Sequence, residues 1–213
     1  MSGDKGYSIR LATDSDMDSV VELLRHFFVK EEPINSSGPK PMDPTELYSL
    51  KFLGKGMSLV ATSADGSVVG VCINNEGTPA GYADRARTKE STTNRHMKKV
   101  LTLLDKAEEV ADIWNKYGID RFFDVRIITV HGSMRGKGIG KALLEKSLQM
   151  AKERGYKLVH IECTGIYSAR IAEQLGMECV FRIPYIEYKD QNGQLVFNVP
   201  EPHNEFKLFV MKL

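Results

Sequence analysis

The stretch that most constrains this chain is Asp124 to Lys141, DVRIITVHGSMRGKGIGK. Asp124 to Val130 is apolar and β-branched, as a buried strand requires. Arg135-Gly136-Lys137-Gly138-Ile139-Gly140 follows closely, and from Ile139 the pattern becomes helical. Ile139, Leu143, Leu144, Leu148 and Ala151 share one face, with Lys141, Glu145, Lys146 and Lys152 elsewhere. A strand, a glycine-rich turn and a helix in that order suit an anionic ligand. The first N–H groups of a helix have no intrahelical partner, and the helix dipole adds positive potential there. Glycines let backbone approach a diphosphate with no Cβ between.

Two common cradles do not fit. A Walker A loop needs four residues between its first glycine and Gly-Lys-Ser/Thr. Gly136 to Gly140-Lys141 leaves three, and Ala142 stands where the hydroxyl belongs. A dinucleotide fingerprint needs Gly-x-Gly-x-x-Gly, and the spacing here is Gly136-x-Gly138-x-Gly140. What fits is Arg-x-x-Gly-x-Gly after a strand, Arg135 to Gly140. That resembles the acetyl-CoA-binding motif of the GNAT superfamily of N-acetyltransferases. The resemblance implies that Ile128, Thr129, Val130, Arg135, Gly136, Lys137, Gly138, Ile139, Gly140, Lys141 and Ser168 bind acetyl-CoA. An ordinary glycine-rich βα turn is the plain alternative.

At 213 residues the chain is expected to be one domain, 1–213, with a loop-plus-helical insertion at about 76–118. A net charge of +1 argues against nucleic-acid binding through a broad basic surface. Cys72, Cys163 and Cys179 are scattered and odd in number, so they read as small buried hydrophobes in a reducing compartment. The polar start MSGDKGYSIR has no signal-peptide core, and no apolar run approaches about 18 residues. The expectation is a cytoplasmic protein with no membrane or nucleic-acid partner, working as a monomer although no residue pattern fixes that. His96, His131, His160 and His203 show no metal spacing, so no metal is expected.

Along the chain, Tyr7 to Ala12 reads as a strand. The next helix buries Met17, Val20, Val21, Leu24 and Phe28 and is expected to stop at Pro33. Ser36 to Pro44 reads as a loop, and Thr45 to Leu53 as a second helix. Met57–Thr62 and Ser67–Asn74 are strands joined through Asp65-Gly66. Glu76 to Arg95 is polar and reads as a long loop, followed by one helix or a helix pair over 94–117. Lys157–Thr164 is a strand, Tyr167–Leu175 a helix, and Glu178–Tyr188 and Phe206–Lys212 antiparallel strands with a turn at Asn192-Gly193. The order implies an α/β fold with a mixed sheet. It matches the GNAT fold, whose mostly antiparallel central sheet splays at the acetyl-CoA site and is flanked by helices.

Two further segments narrow the likeness. Phe27-Phe28-Val29-Lys30-Glu31-Glu32-Pro33-Ile34-Asn35 resembles the Asp-Glu-Pro-Leu-Asn segment of insect arylalkylamine N-acetyltransferases, which include dopamine-acetylating enzymes. Cys163-Thr164-Gly165-Ile166-Tyr167-Ser168-Ala169 resembles that family's Cys-Ser-Ser-x-Tyr-Ser-Ala segment. The resemblance implies that Glu32 is the general base and that Ser168 takes part in proton transfer. Thr164 falls on a serine of the pattern and keeps its hydroxyl. Gly165 departs from the second serine, a change expected to widen the pocket or loosen the loop.

The chemistry these residues would serve is simple. An alkylamine is mainly ammonium at neutral pH, by comparison with lysine at about 10.4, and must lose a proton before it attacks a thioester. Glu32 could accept that proton, with Glu31 raising its pKa by like charge. A backbone N–H near Thr129 or Val130 could face the oxyanion, and Ser168 or Tyr167 the leaving thiolate. Each residue also has a plainer role: Glu32 as a solvated carboxylate, Ser168 as a helix cap, Tyr167 as packing. Trp114, Phe122 and Phe123 could line an aryl pocket or simply be core. The expected reaction is acetyl transfer to an arylalkylamine of the dopamine, serotonin or tyramine type. A polyamine or agmatine acetyltransferase, or a CoA-binding module without turnover, are the alternatives.

Overall fold

The computed structural model describes residues 6–38 and 42–213. Part of the expected 36–44 loop and the first five residues of the polar start lie outside them. The strands are β1 (Tyr7–Leu11), β2 (Leu59–Ser63), β3 (Val68–Gly77), β4 (Phe122–Val130), β5 (Leu158–Cys163), β6 (Glu178–Pro184) and β7 (Glu205–Lys212). They form a seven-stranded sheet in the order β1-β2-β3-β4-β5-β7-β6. All neighbours are antiparallel except β4 and β5. The helices are α1 (Met17–Phe27), α2 (Pro33–Ser36), α3 (Pro79–Ser91), α4 (Arg95–Ala111), α5 (Ile113–Tyr117), α6 (Ile139–Glu153) and α7 (Ile166–Gln174).

The break in the sheet follows from the β4–β5 ladder. It consists of Phe123↔Val159, Asp124↔His160 and Val125↔Ile161, and ends there. β4 runs on to Val130, still paired to β3 as far as Gly70↔Val130. Beyond Val125 and Ile161 the two central strands therefore part, and backbone that a continuous sheet would pair is left facing a gap. One face of the sheet buries Val125, Val159 and Ile161 under Leu143 and Leu144 of α6. Each such side chain removed from water contributes about 1.5–3 kcal/mol. The opposite face is covered by α1, through Val20 and Leu24, and by α4, through Leu103 and Ala107.

Four departures from the expectations stand out. First, Pro33 does not end α1. The helix closes at Phe27, and Pro33 begins the short helical turn α2, where its missing N–H costs nothing. Second, Thr45–Leu53 is not an α-helix but two 3₁₀ turns, Pro44–Glu46 and Tyr48–Phe52, parted at an extended Leu47. Leu47, Leu50 and Leu53 recur every third residue and all are buried, a period that fits 3₁₀ geometry. Third, 79–91 within the expected loop is the helix α3. Pro79 sits in its first turn, and the Thr78 hydroxyl accepts the Gly81 N–H at 3.1 Å. It has no apolar stripe to betray it. Its buried residue is Arg85, 1% exposed, which pairs with Asp105 of α4 at 3.1 Å. Fourth, Cys179 is exposed, unlike Cys72 and Cys163, and all three are free thiols. Burial pushes the Cys72 and Cys163 thiols up to about 12.

The expected helix pair and the two expected turns are present, whereas the expected Glu178–Tyr188 strand ends at Pro184 and Tyr185–Glu187 is a 3₁₀ turn. The 94–117 segment is the helix pair α4 and α5. Gly66 takes φ +88 in the β2–β3 turn. The Asp190 carboxylate accepts the N–H groups of Asn192 and Gln194 around the Asn192-Gly193 turn. Among the described residues no helix is long and apolar enough to cross a membrane.

Candidate active site

A cavity of about 980 Å³ occupies the gap between β4 and β5, within the range of small-molecule sites. Its walls include Ile128, Thr129 and Val130 of β4, the turn Arg135–Gly136 and Gly138–Lys141, the Glu31–Asn35 segment, and Thr164–Ser168 apart from Ile166. The parting of two strands thus collects three sequence-distant segments around one space.

Gly138 precedes the first residue of α6 with φ +78, and Gly136 has φ +77. Both are left-handed conformations that an L side chain adopts only at a cost. A Cβ built on either would meet nothing within 4 Å, so the backbone edge is open toward the ligand side. The leading N–H groups of α6 and this open edge fit a diphosphate. Arg135 reaches back to the Val130 carbonyl at 3.3 Å and pairs with Glu31 at 2.5 Å. Lys137 is the exception among the expected contacts. Its side chain is outside the cavity wall, with Nζ against the Met134 sulfur at 3.2 Å.

Glu32 lies against the same cavity rather than in open solvent. Its two carboxylate oxygens accept the N–H groups of Ile34 at 3.2 Å and Asn35 at 2.7 Å, so the residue caps α2. Desolvation raises its pKa above the ordinary carboxylate value, and bonds from the Thr164 hydroxyl and the Asn35 and Ile34 amides partly offset that rise. The expected like-charge effect of Glu31 is not the source, because Glu31 turns to Arg135.

Thr164 and Ser168 both line the cavity. The Ser168 hydroxyl donates to the Gly165 carbonyl at 3.0 Å, so it does not cap the free amides of α7, and it also bonds the Cys163 thiol. Gly165 does not widen the pocket. A Cβ there would come within 2.9 Å of His203 Nδ1 and 3.0 Å of Pro33 Cγ, so the freed space is taken up by those two residues. His203, one of the scattered histidines, lines the cavity. Its Nδ1 accepts the Ile166 N–H at 3.2 Å, which leaves the proton on Nε2 of the neutral ring. Nothing in its sequence neighbourhood marks it. Of the two readings of Trp114, Phe122 and Phe123, core is the one found. Phe122 and Phe123 are fully buried core and Trp114 packs on Phe122, so none of the three faces the cavity. The aromatic walls are Phe27, Phe28, Tyr48 and Tyr167.

The acetyltransferase (GNAT) family model matches residues 18–177. The chain belongs to this family. The crystal structure of arylalkylamine N-acetyltransferase 2 from Aedes aegypti is 29% identical, with a TM-score of 0.90 over 97% of this chain and 98% of that one. The mosquito arylalkylamine N-acetyltransferase like 5b is 28% identical, with a TM-score of 0.88 over 97% and 100%. The Drosophila melanogaster polyamine N-acetyltransferase that forms N-acetylagmatine, at 23% identity and a TM-score of 0.86 over 97% and 100%, shares the fold. The chain is thus an acyltransferase of the kind that binds acetyl-CoA and a small amine.

This GNAT enzyme carries one feature that its sequence hid. Under the parting strands, on the side covered by α3 and α4, lies a buried set of charges. Arg85 faces Asp105 and, at 3.6 Å, Glu162. Lys89 also pairs with Asp105. Arg126 binds Asp124 at 2.6 Å and Ser49 at 2.9 Å. His160, 0% exposed, lies between Asp124 at 3.0 Å and Glu108 at 2.7 Å. Those carboxylates outweigh the burial cost and raise His160 to about 10, so it is an imidazolium at neutral pH. Burial opposes ionisation of Asp124, but Arg126 and His160 hold it down at about 2. Glu108, His160 and Glu162 come within 4.8 Å of one another, as metal ligands would. With carboxylates against both ring nitrogens and Arg85 beside Glu162, they instead form a salt-bridged network.

Proposed function

We propose that this GNAT acetyltransferase acetylates the primary amine of an arylalkylamine, of the dopamine, serotonin or tyramine type, by direct attack on the thioester with Glu32 as general base. The observation that carries the reading is the desolvated Glu32 carboxylate in the same cavity as the N-terminus of α6. Acetyl-CoA, when bound, supplies the activated acetyl group. Arg135, Gly136, Gly138 and Lys141 hold its diphosphate, and Ile128 to Val130 flank its acyl end. Lys137 adds long-range charge there.

Glu32 takes the ammonium proton, directly or through water. Its raised pKa brings it closer to the amine in basicity. The Ile34 and Asn35 amides fix the carboxylate's direction. Thr164 orients it. As the tetrahedral adduct collapses and the C–S bond breaks, the proton lost by the attacking nitrogen passes to the departing thiolate, with Ser168 turning from the Gly165 carbonyl to relay it. Phe27, Phe28, Met97, Val100 and Leu104 make an apolar wall suited to an aryl ring. The 29% and 28% identical arylalkylamine enzymes support the same substrate class. We read residues 1–213 as one domain, with 76–118 as an insertion that supplies α3 to α5, acting in the cytoplasm on a free small molecule.

A polyamine or agmatine is the second reading, favoured by the carboxylate of Glu162 in the cavity wall. Free-thiol release from acetyl-CoA with a panel of aryl, aliphatic and polyamine substrates separates the two. A kcat/KM for tryptamine or dopamine above that for spermidine and agmatine is expected, and the reverse order overturns the aryl assignment. Tight acetyl-CoA binding with no turnover of any amine would make the chain a CoA-binding module.

A further inference from the structure

Glu162 and Arg126 are the members of the buried charge network that reach the amine cavity, and Glu162 is the acceptor of the two. Its side chain is 11% exposed. Its Oε1 is buried with no hydrogen-bond partner among the described residues. Its nearest cation, Arg85, approaches at 3.6 Å, beyond hydrogen-bond reach. An acceptor left in this state costs free energy until a donor reaches it.

Its place on the strand fixes what could supply that donor. Glu162, the penultimate residue of β5, and Thr164, just past its end, both line the cavity while Cys163 between them is core. About 7 Å of extended chain separates the Glu162 and Thr164 backbones. Thr164 adjoins Glu32, where the amine reacts. The interval is about the reach from the amine of an arylethylamine to the far side of its ring.

Charge then decides between a cationic and a neutral donor. Asp105, Glu108, Asp124 and Glu162 face Arg85, Lys89, Arg126 and the His160 imidazolium, so the acids and bases balance. A second ammonium would add an uncompensated charge beside a nearly buried carboxylate in a network that is already balanced. A hydroxyl satisfies Oε1 without adding charge.

We infer that Glu162 is a specificity-determining residue that accepts a hydrogen bond from a ring hydroxyl, selecting hydroxylated arylethylamines over unsubstituted ones. This rests on the arylalkylamine reading.

The test compares kcat/KM for tyramine, phenethylamine, 4-methoxyphenethylamine and agmatine in the wild-type enzyme and in Glu162→Leu. In the wild type, tyramine exceeds phenethylamine by about 10- to 100-fold, the range of a hydrogen bond to a charged group. The methoxy compound, which keeps the oxygen but lacks the donor, falls with phenethylamine. In Glu162→Leu the tyramine-to-phenethylamine ratio collapses to near one, a change in selectivity that general loosening of the fold does not produce. If the variant does not fold, the wild-type series decides. Turnover of the aryl amines with no preference for the hydroxyl, or a preference that survives Glu162→Leu, overturns the inference alone. Agmatine preferred to tyramine in the wild type, with that preference lost in the variant, assigns Glu162 to a second cation and overturns it. Turnover of no aryl amine removes the arylalkylamine reading and this inference with it.

Discussion

The Arg135 guanidinium lies 2.5 Å from the Glu31 carboxylate, tying the α6 turn to the segment that carries Glu32. Both side chains are about half exposed, 48% and 42%, so the pair contributes about 0–1 kcal/mol to stability at most. Its consequence is competition, because a diphosphate on α6 would draw on the same guanidinium. Glu31→Gln should leave the melting temperature nearly unchanged and tighten acetyl-CoA binding by a few-fold. Arg135→Ala should weaken it. Calorimetric titration of both variants checks this, and weaker binding in Glu31→Gln would show that the pair builds the site rather than competing for it.

The glycine cradle gives a second prediction. Gly138→Val forces a β-branched residue into φ +78 and adds bulk on the open edge, so acetyl-CoA affinity should fall by at least tenfold. Gly155→Ala is the control. It places a side chain at φ +70 beyond the other end of α6, so it shares the backbone penalty of about 1–2 kcal/mol but not the loss of affinity. Equal affinities in the two variants would remove the cradle assignment.

The base gives a third. Glu32→Gln keeps size and removes basicity, and kcat should fall by ~10²–10⁴-fold with acetyl-CoA affinity little changed. Because the Glu32 pKa is raised, the rising limb of the wild-type pH profile should sit above the ordinary carboxylate range. In Glu32→Gln that limb should vanish, and the residual rate should track free amine. A variant with near-normal kcat at neutral pH returns Glu32 to a capping role.

His160 gives a fourth, on stability. Its folded pKa of about 10 lies above the unfolded value of about 6.5, so the protonated ring is favoured in the folded state. That contribution is complete below about pH 6.5 and is lost as pH rises through about 10. The melting temperature should therefore fall steadily from neutral pH to pH 10. His160→Leu should be destabilised by about 3–5 kcal/mol at pH 7, since it removes the cation between two buried carboxylates, and should show a flatter alkaline decline. Identical alkaline profiles for the two proteins would place the titration elsewhere.

Local chemistry made much of this protein legible. The strand, glycine turn and helix from Asp124 to Lys141 were readable because hydrophobic period and left-handed glycines are properties of neighbouring residues. Glu32, Thr164 and Ser168 were legible only through likeness to a family, and the fold brings all three to one cavity. Helix α3 is invisible to periodicity because it is held by a buried Arg85 rather than an apolar stripe.

What the tertiary structure alone decided is which distant residues share a dielectric environment. The order of residues alone specifies an α/β chain with an anion-binding turn and a carboxylate before Pro33. It did not determine that Glu32 would be desolvated, that Gly165 would admit His203 and Pro33, or that Trp114, Phe122 and Phe123 would be core. Nor did it place Glu108, Asp124, His160 and Glu162 together, on α4, β4 and β5. A residue's pKa and pairing depend on its neighbours in space, and those are set only when β4 and β5 pair for three residues and then part.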